Sequence, residues 1–426
     1  CTWRSARMKH VWIALVLLQV TMPAQAQKLL IPMDLEQTDH LKAYGLAFWA
    51  LEQGIVVEWL LNYRGGSFLT DASQAILRET RLRDVTFFAV SDAQVARIYG
   101  TIENENMDRV RLEKAPRIAV YSPPNKQPWD DAVTLALAYA EIRYDTLWDE
   151  EVLKGGLDEY DWLHLHHEDF TGQYGKFYRS HGRQQWYRQQ QRAFEEMAGR
   201  LGFTKVSTQK SAVTKAIADY VNDGGFLFAM CSATDTFDIS RAAWGLDIVD
   251  TIYDGDSVDP TAEARLNFDA AFAFQDFTLV DDPMEYEYSN IDVSPTEEGQ
   301  PKGAEADAFT LFEFSAKYDP VPTMLTQCHI PVVRGFLGQT TAFRRSLIKP
   351  SVTILGEITG TSKVKYIHGN VGNGTYTFYA GHDPEDYQHL VGDPQTELSL
   401  NRNSPGYRLI LNNILFPAAM KQKRKT

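Results

Sequence analysis

Apolar residues recur at helical spacing through Val213, Ala216, Ile217, Tyr220 and Val221, so Ser207 to Val221 is predicted as a helix. It stops at Asp223-Gly224-Gly225, because glycine takes the left-handed conformation that closes helices. Gly225 to Met230 is an unbroken apolar run too short for a helix, the pattern of a strand buried on both faces of a parallel sheet. The run leads into Cys231, and Ser232, Ala233, Thr234 and Asp235 then supply small and capping side chains for a helix through Trp244. Strand, cysteine and helix in that order outline a nucleophile elbow. A sharp turn lifts one side chain over the sheet edge, and amides at the helix start face a reacting oxygen.

Periodicity organises the rest of the chain in the same way. Lys28 to Met33 reads as a strand, Thr38 to Gln53 as a helix with Leu41, Tyr44, Phe48 and Leu51 on one face, and Ile55 to Leu61 as a second strand. A right-handed crossover would make the two strands parallel neighbours. Residues past their ends, Asp34, Gln37, Asp39 and His40 on one and Arg64-Gly65-Gly66-Ser67 on the other, are then expected in one crevice. Val85 to Val90 is a strand, a helix starts near Asp92, and Asn104 to Lys114 reads as a polar linker. A strand at Arg117 to Tyr121, a helix at Trp129 to Ile142 and a strand at Tyr160 to His164 precede an excursion from Gln173 to Gly202. Asp250 to Pro350 is irregular, with Phe268, Phe272, Phe274 and Phe277 expected inside and Met284 to Tyr288 and Glu297 to Asp307 as acidic surface. Ser351 to Ile358 is a strand; Lys363 to His368 and Thr375 to Ala380 form a hairpin across a glycine- and asparagine-rich turn. Pro405 to Phe416 closes as a helix burying Leu409, Ile410, Ile414 and Leu415. The alternation predicts an α/β fold with a mostly parallel sheet, helices on both faces, and a smaller βαβ unit in front. The corresponding division is residues 27–115 for the small unit and 116–420 for the main domain, with insertions near 173–202 and 250–350.

With 426 residues, 44% of them apolar, the chain can bury a large core. Met8-Lys9-His10, the apolar run Val11 to Val20 and Ala24-Gln25-Ala26 fit a signal peptide over residues 1–26, so an extracytoplasmic mature protein, periplasmic or secreted, is expected. No later apolar run is long enough to span a bilayer, so no membrane insertion of the mature chain is expected. Cleavage at Ala26 would remove three basic residues and no acid, taking the net charge from −14 to −17. Such a surface repels phosphate backbones, which excludes nucleic acid as the expected partner. Of the three cysteines, Cys231 and Cys328 remain, and in an oxidising compartment they could instead pair as a disulfide.

A cysteine attacks a carbonyl as thiolate and needs a base and oxyanion donors. The candidate base is His382, with Glu385 or Asp383 to fix its tautomer, and the Ser232 amide and an amide near Gly172 as donors. His166, His167 and Glu168 crowd a loop at a strand's carboxyl end, either as ligands for zinc or as an ordered loop wall. Arg64 beside two glycines suits an anion or carboxylate, against the alternative of an ordinary glycine turn. Asp254-Gly255-Asp256 with Asp259 lacks a complete calcium-loop signature and reads as a solvated turn.

The elbow followed by a histidine and an acid at the end of a later strand resembles the class I glutamine amidotransferase-like superfamily over residues 116–418. The resemblance implies a flavodoxin-like sheet, Cys231 as nucleophile, His382 as base, Glu385 as the orienting acid and an oxyanion loop near His167 to Gly172. It calls for no cofactor. Two departures stand out: Ala229 and Ala233 replace the glycines of the usual Gly-x-Cys-x-Gly, and Asp383 is inserted between the histidine and Pro384. The segments GTYTFYAGHD and SPGYRLILNNILF look like the ThuA-like branch, whose members often lack a working triad. Chains of this appearance from Bacteroidetes have been labelled asparagine synthetase B, chemistry that needs an amino-terminal nucleophilic cysteine and an ATP-binding Ser-Gly-Gly loop, and neither is found here. The expected function is an exported cysteine-dependent amidase or hydrolase acting on a small molecule or a glycan- or peptide-derived substrate. The alternatives are a non-catalytic protein binding a small anionic or glycan-derived ligand between the small unit and the main sheet, and a metal-dependent hydrolase using His166 and His167.

Overall fold

The computed structural model describes residues 28–124, 131–293, 308–334, 336–337, 340–386 and 394–419. The expected signal segment, the acidic stretch Glu297 to Asp307 and the basic tail Lys421 to Lys425 lie outside the described residues.

The amino-terminal unit runs β1 (Lys28–Ile31), α1 (His40–Glu52), β2 (Val57–Leu61), β3 (Ser67–Asp71), α2 (Gln74–Leu82), β4 (Phe88–Val90), α3 (Asp92–Asn104) and β5 (Asp108–Leu112). Its sheet has the order β4-β1-β3-β2-β5, each neighbouring pair antiparallel. β1 and β2 run in the same direction, but β3 lies between them, which corrects the expected parallel pair to a split βαβ of ferredoxin-like arrangement. The turn into β3 explains the glycines: Gly65 has φ 76°, and a Cβ there would stand 2.4 Å from the carbonyl oxygen of Met33. β5 corrects the expected linker. Val110 and Leu112 are buried while Arg109 and Arg111 face solvent, the alternation of a charged edge strand.

The main domain continues with β6 (Ile118–Tyr121), α4 (Ala132–Ala140), β7 (Asp145–Leu147), α5 (Asp149–Leu153), β8 (Trp162–Leu165), α6 (Tyr178–His181), α7 (Gln185–Arg200) and α8 (Val206–Asp223). Next come β9 (Phe226–Met230), α9 (Ser232–Ala242), α10 (Thr251–Asp254), β10 (Ala308–Leu311), α11 (Pro320–Leu325), β11 (Val332–Arg334), β12 (Phe336–Leu337) and β13 (Phe343–Arg344). The last elements are β14 (Thr353–Glu357), β15 (Lys363–Val371), β16 (Gly374–Tyr379), β17 (Asp383–Pro384) and α12 (Pro405–Leu415). The sheet order is β11-β10-β14-β15-β16-β9-β8-β6-β7, with β13 beside β15. β7, β6, β8, β9 and β16 are parallel, whereas β16 turns back through a hairpin into β15 and every later pair is antiparallel. The fold is therefore mixed α/β rather than mostly parallel. The irregular insertion supplies β10, β11 and β13, which extend the sheet beyond the hairpin.

α12 packs against α1, α4 and α11 and joins the two units. All of Gly406 to Leu415 is buried, including Arg408, Asn412 and Asn413, so the helix is covered all round rather than along one stripe. Burying each of its leucines and isoleucines contributes roughly 1.5–3 kcal/mol. Arg408 donates to the carbonyls of Met33 and Gly65, which satisfies buried N–H groups and ties β1 and the β3 turn to the main domain. Among the described residues no helix is long and apolar enough to cross a membrane.

Candidate functional site

Cys231 links β9 to α9 with φ 51° and ψ −141°. Such a conformation costs a non-glycine residue about 1–3 kcal/mol and persists only where the surroundings enforce it. Here they do. The Cys231 N–H donates to the Gly381 carbonyl at 3.0 Å, and the Cys231 carbonyl accepts from Thr234 Oγ1 at 2.7 Å. The residue is 2% exposed.

Adjacent parallel strands β8, β9 and β16 end at one sheet edge. β8 runs on into His166 and His167, β9 into Cys231, and β16 into Gly381 and His382. The His166 and His382 ring centroids are 4.2 Å apart with planes at 85°, and His167 lies 5.5 Å from His382 at 22°. The edge is pinned from behind. Ala233 N–H donates to the His166 carbonyl at 3.2 Å, Ser232 Oγ to the His167 carbonyl at 3.0 Å, and Gly381 N–H to the Thr340 carbonyl at 2.8 Å. Because the Ala233 amide is committed to His166, the Ser232 amide is the donor the start of α9 has to offer a reacting oxygen.

The other candidates are distributed more widely. Glu385 is exposed with φ 75°, and no hydrogen bond or ion pair joins it to a described residue. Asp383 is buried and accepts from the Tyr407 hydroxyl and from Thr396 Oγ1, which ties it to α12. Gly172 (φ 88°) packs on the start of α8; a Cβ there would lie 2.7 Å from Ser207 Cα. Arg64 does meet Asp34 across the expected crevice, at 2.6 Å, and also binds Glu36 at 2.8 Å, so its charge is already matched by two carboxylates. No disulfide joins Cys231 and Cys328, so the alternative pairing is not seen. Lys205 Nζ bonds to Asp247, Asp254 and Asp256 together, placing an ammonium where the acidic turn could have taken a cation.

The structure brings further polar residues to the neighbourhood of the site. Asp131 caps α4, accepting from the Val133 and Thr134 amides at 2.8 and 3.0 Å, and its Oδ1 lies 3.4 Å from His164 Nε2 and 3.7 Å from His166 Nδ1. Burial works against its charge, but His164 and the helix amides hold its carboxyl below the usual range. Its place before the apolar run of α4 was a readable capping signal. Lys210 is buried beneath the edge, 3.0 Å from Asp149, 2.9 Å from the Tyr121 hydroxyl and 3.9 Å above the Trp148 ring. Nearby Glu168 is pushed up to about 8 by burial, against the pull of Lys210. Asp235, on α9 four residues after the cysteine, is pushed up to about 7 by burial although Thr340 Oγ1 donates to it at 2.9 Å. Tyr286 lies in the stretch Met284 to Tyr288 expected as acidic surface and is exposed there with Met284 and Glu285, whereas Tyr288 is buried. Although Tyr286 is 40% exposed, desolvation at its hydroxyl and then the charge of nearby Cys231 raise that group above its ordinary range. A separate cleft of about 640 Å³ opens between the amino-terminal unit and the antiparallel half, lined by Asp34, Glu36, Asn62, Glu313 and His329 among others.

No protein-family model matches the chain, and no curated protein matches it. Among solved structures, the chain is similar to two Salmonella typhimurium proteins described as the cytoplasmic proteins STM3548 and STM1381. Identities are 11% and 15% and TM-scores 0.34 and 0.32; the matches cover 72% and 71% of this chain and all of each of those. It is also similar to the exo-beta-1,4-mannosidase Op5Man5 from Opitutaceae bacterium strain TAV5, at 12% identity and a TM-score of 0.27, over 63% of this chain and 31% of that one. At these TM-scores the likenesses assign neither a residue nor an activity.

Proposed function

We propose that the chain is an exported cysteine-dependent amidase or hydrolase of amidotransferase-like architecture, with Cys231 as nucleophile and His382 as its base. One observation carries this: a non-glycine residue is held at positive φ between a buried strand and a helix, and the residue is a cysteine beside a histidine-bearing turn. The order β7-β6-β8-β9-β16 of the parallel strands supports a flavodoxin-like core, in which ligands bind beyond the carboxyl ends.

In the proposed cycle His382 takes the Cys231 thiol proton and the sulfur attacks the amide carbonyl carbon. The Ser232 amide receives the oxyanion. Collapse breaks the carbon–nitrogen bond, and His382 returns its proton to the leaving amine. Water then attacks the thioester, giving its proton to His382, and releases the carboxylate product and the free thiol. Glu385 is given no part, since it is exposed and no hydrogen bond or ion pair joins it to a described residue; Asp131, beside His166, is the acid placed behind the histidines.

Iodoacetamide labelling across pH 5–9 tests the assignment. Cys231 is expected to react well below the ordinary thiol range near 8.5, and Cys231→Ser to abolish the fast phase. An unperturbed thiol profile for Cys231 would remove the proposal.

A further inference from the structure

We propose that His166, His167 and His382 form a binding site for one divalent transition ion, zinc above all, and that the ion takes the same His382 lone pair the thiol needs. Each histidine offers one ring nitrogen, and the three nitrogens lie within 4.8 Å of one another. The rings do not stack as a set. His166 stands edge-on to both others, at 85° and 90°, while His167 and His382 lie nearly parallel at 22°, so His166 approaches the shared space from a different side. Tetrahedral zinc with nitrogen ligands needs them about 3.4 Å apart, a closure that ring rotation supplies.

The backbone behind the rings is fixed. The carbonyls of His166 and His167 accept from the first turn of α9, and Gly381, which carries His382, is held on both of its backbone groups. Asp131 adds the carboxylate that orients a ligating imidazole. Its Oδ1 lies 3.7 Å from His166 Nδ1, and Asp131 is itself anchored by two helix amides. Two of the histidines are buried and His167 is half-buried, so the set is open on one side, as in sites with three protein ligands and an exchangeable fourth position. Neutral imidazoles select zinc, copper or nickel over magnesium or calcium.

The binding site stands on this geometry alone; its consequence for turnover rests on the proposed role of Cys231. A coordinated His382 cannot accept the thiol proton, so the ion would hold the enzyme at rest and a chelator would release it.

The test uses the untagged full chain, stripped with a chelator and titrated with zinc and with cobalt(II) as an optical probe. One equivalent is expected to bind. His167→Ala and His382→Gln are each expected to weaken binding by about 100-fold. His181→Ala, on the exposed helix α6, should change nothing, and circular dichroism checks that each variant folds. Cys231→Ser should still bind, which separates the site from the thiol chemistry. Failure to bind an equivalent at 100-fold excess of zinc, or full affinity in folded His382→Gln, overturns the site. With binding established, one equivalent of zinc should slow iodoacetamide labelling of Cys231 by about 10-fold or more; an unchanged rate overturns the shared use of His382.

Discussion

The N–H of Cys231 donates to the carbonyl of Gly381 at 3.0 Å, so one backbone bond both enforces the strained turn and sets the next residue, His382, beside it. The strain can be measured. Alanine is normally more stable than glycine in a folded position, but at φ 51° the order should reverse. Cys231→Gly is expected to be more stable than Cys231→Ala by about 1–3 kcal/mol in urea denaturation; equal stabilities would mean that the turn is relaxed.

His382 and Glu385 should separate cleanly in labelling kinetics. His382→Ala is expected to slow alkylation of Cys231 at neutral pH by about 100-fold. Glu385→Gln should leave the rate alone, because its side chain is in solvent. A large effect of Glu385→Gln would restore the acid that the resemblance implied.

The elbow was legible because Phe226 to Met230 is apolar without interruption and the residues after Cys231 are small or capping. Glu385 was chosen by its spacing from His382, and spacing along a strand end fixes distance, not direction; at φ 75° its side chain is exposed. β3 was hidden by the Arg64-Gly65-Gly66 turn, which resembles an anion loop until Asp34 and Glu36 are seen to neutralise the arginine. β5 has charges on alternate positions and reads as a linker wherever the partner strand is unknown. Tyr286 and Asp131 reach the site only through tertiary packing, on which local periodicity is silent.

Removing one partner of the buried Lys210–Asp149 pair should be costly. Lys210→Met leaves the Asp149 carboxylate uncompensated beneath the sheet edge, and a loss of about 3–5 kcal/mol is expected. Lys210→Met with Asp149→Leu should recover most of it. If the double variant is as unstable as the single, the cost is packing rather than charge.

The stacked rings of His40 and His329, 4.1 Å apart, sit where the two units meet, and the folded state depresses both. Burial, reinforced by Arg408, takes His40 down to about 4; burial, with the neighbouring His40 and Arg408, takes His329 to about 3. Both values lie below the unfolded 6.5, so the native state favours neutral rings. Their contribution is complete above pH 6.5 and is lost as pH falls from there towards 4. Tm should therefore drop between pH 6.5 and 4, and His329→Gln should flatten that drop. A wild-type Tm constant over this range would count against the depressed values.

The way α12 is wedged between α1, α4 and α11 also governs how the chain can be made. It follows the strands and helices of both modules in the chain, so until it is made both display the apolar faces this helix will cover. Neither can reach its final packing until this helix has been made, so the two modules complete their folding together rather than one after the other.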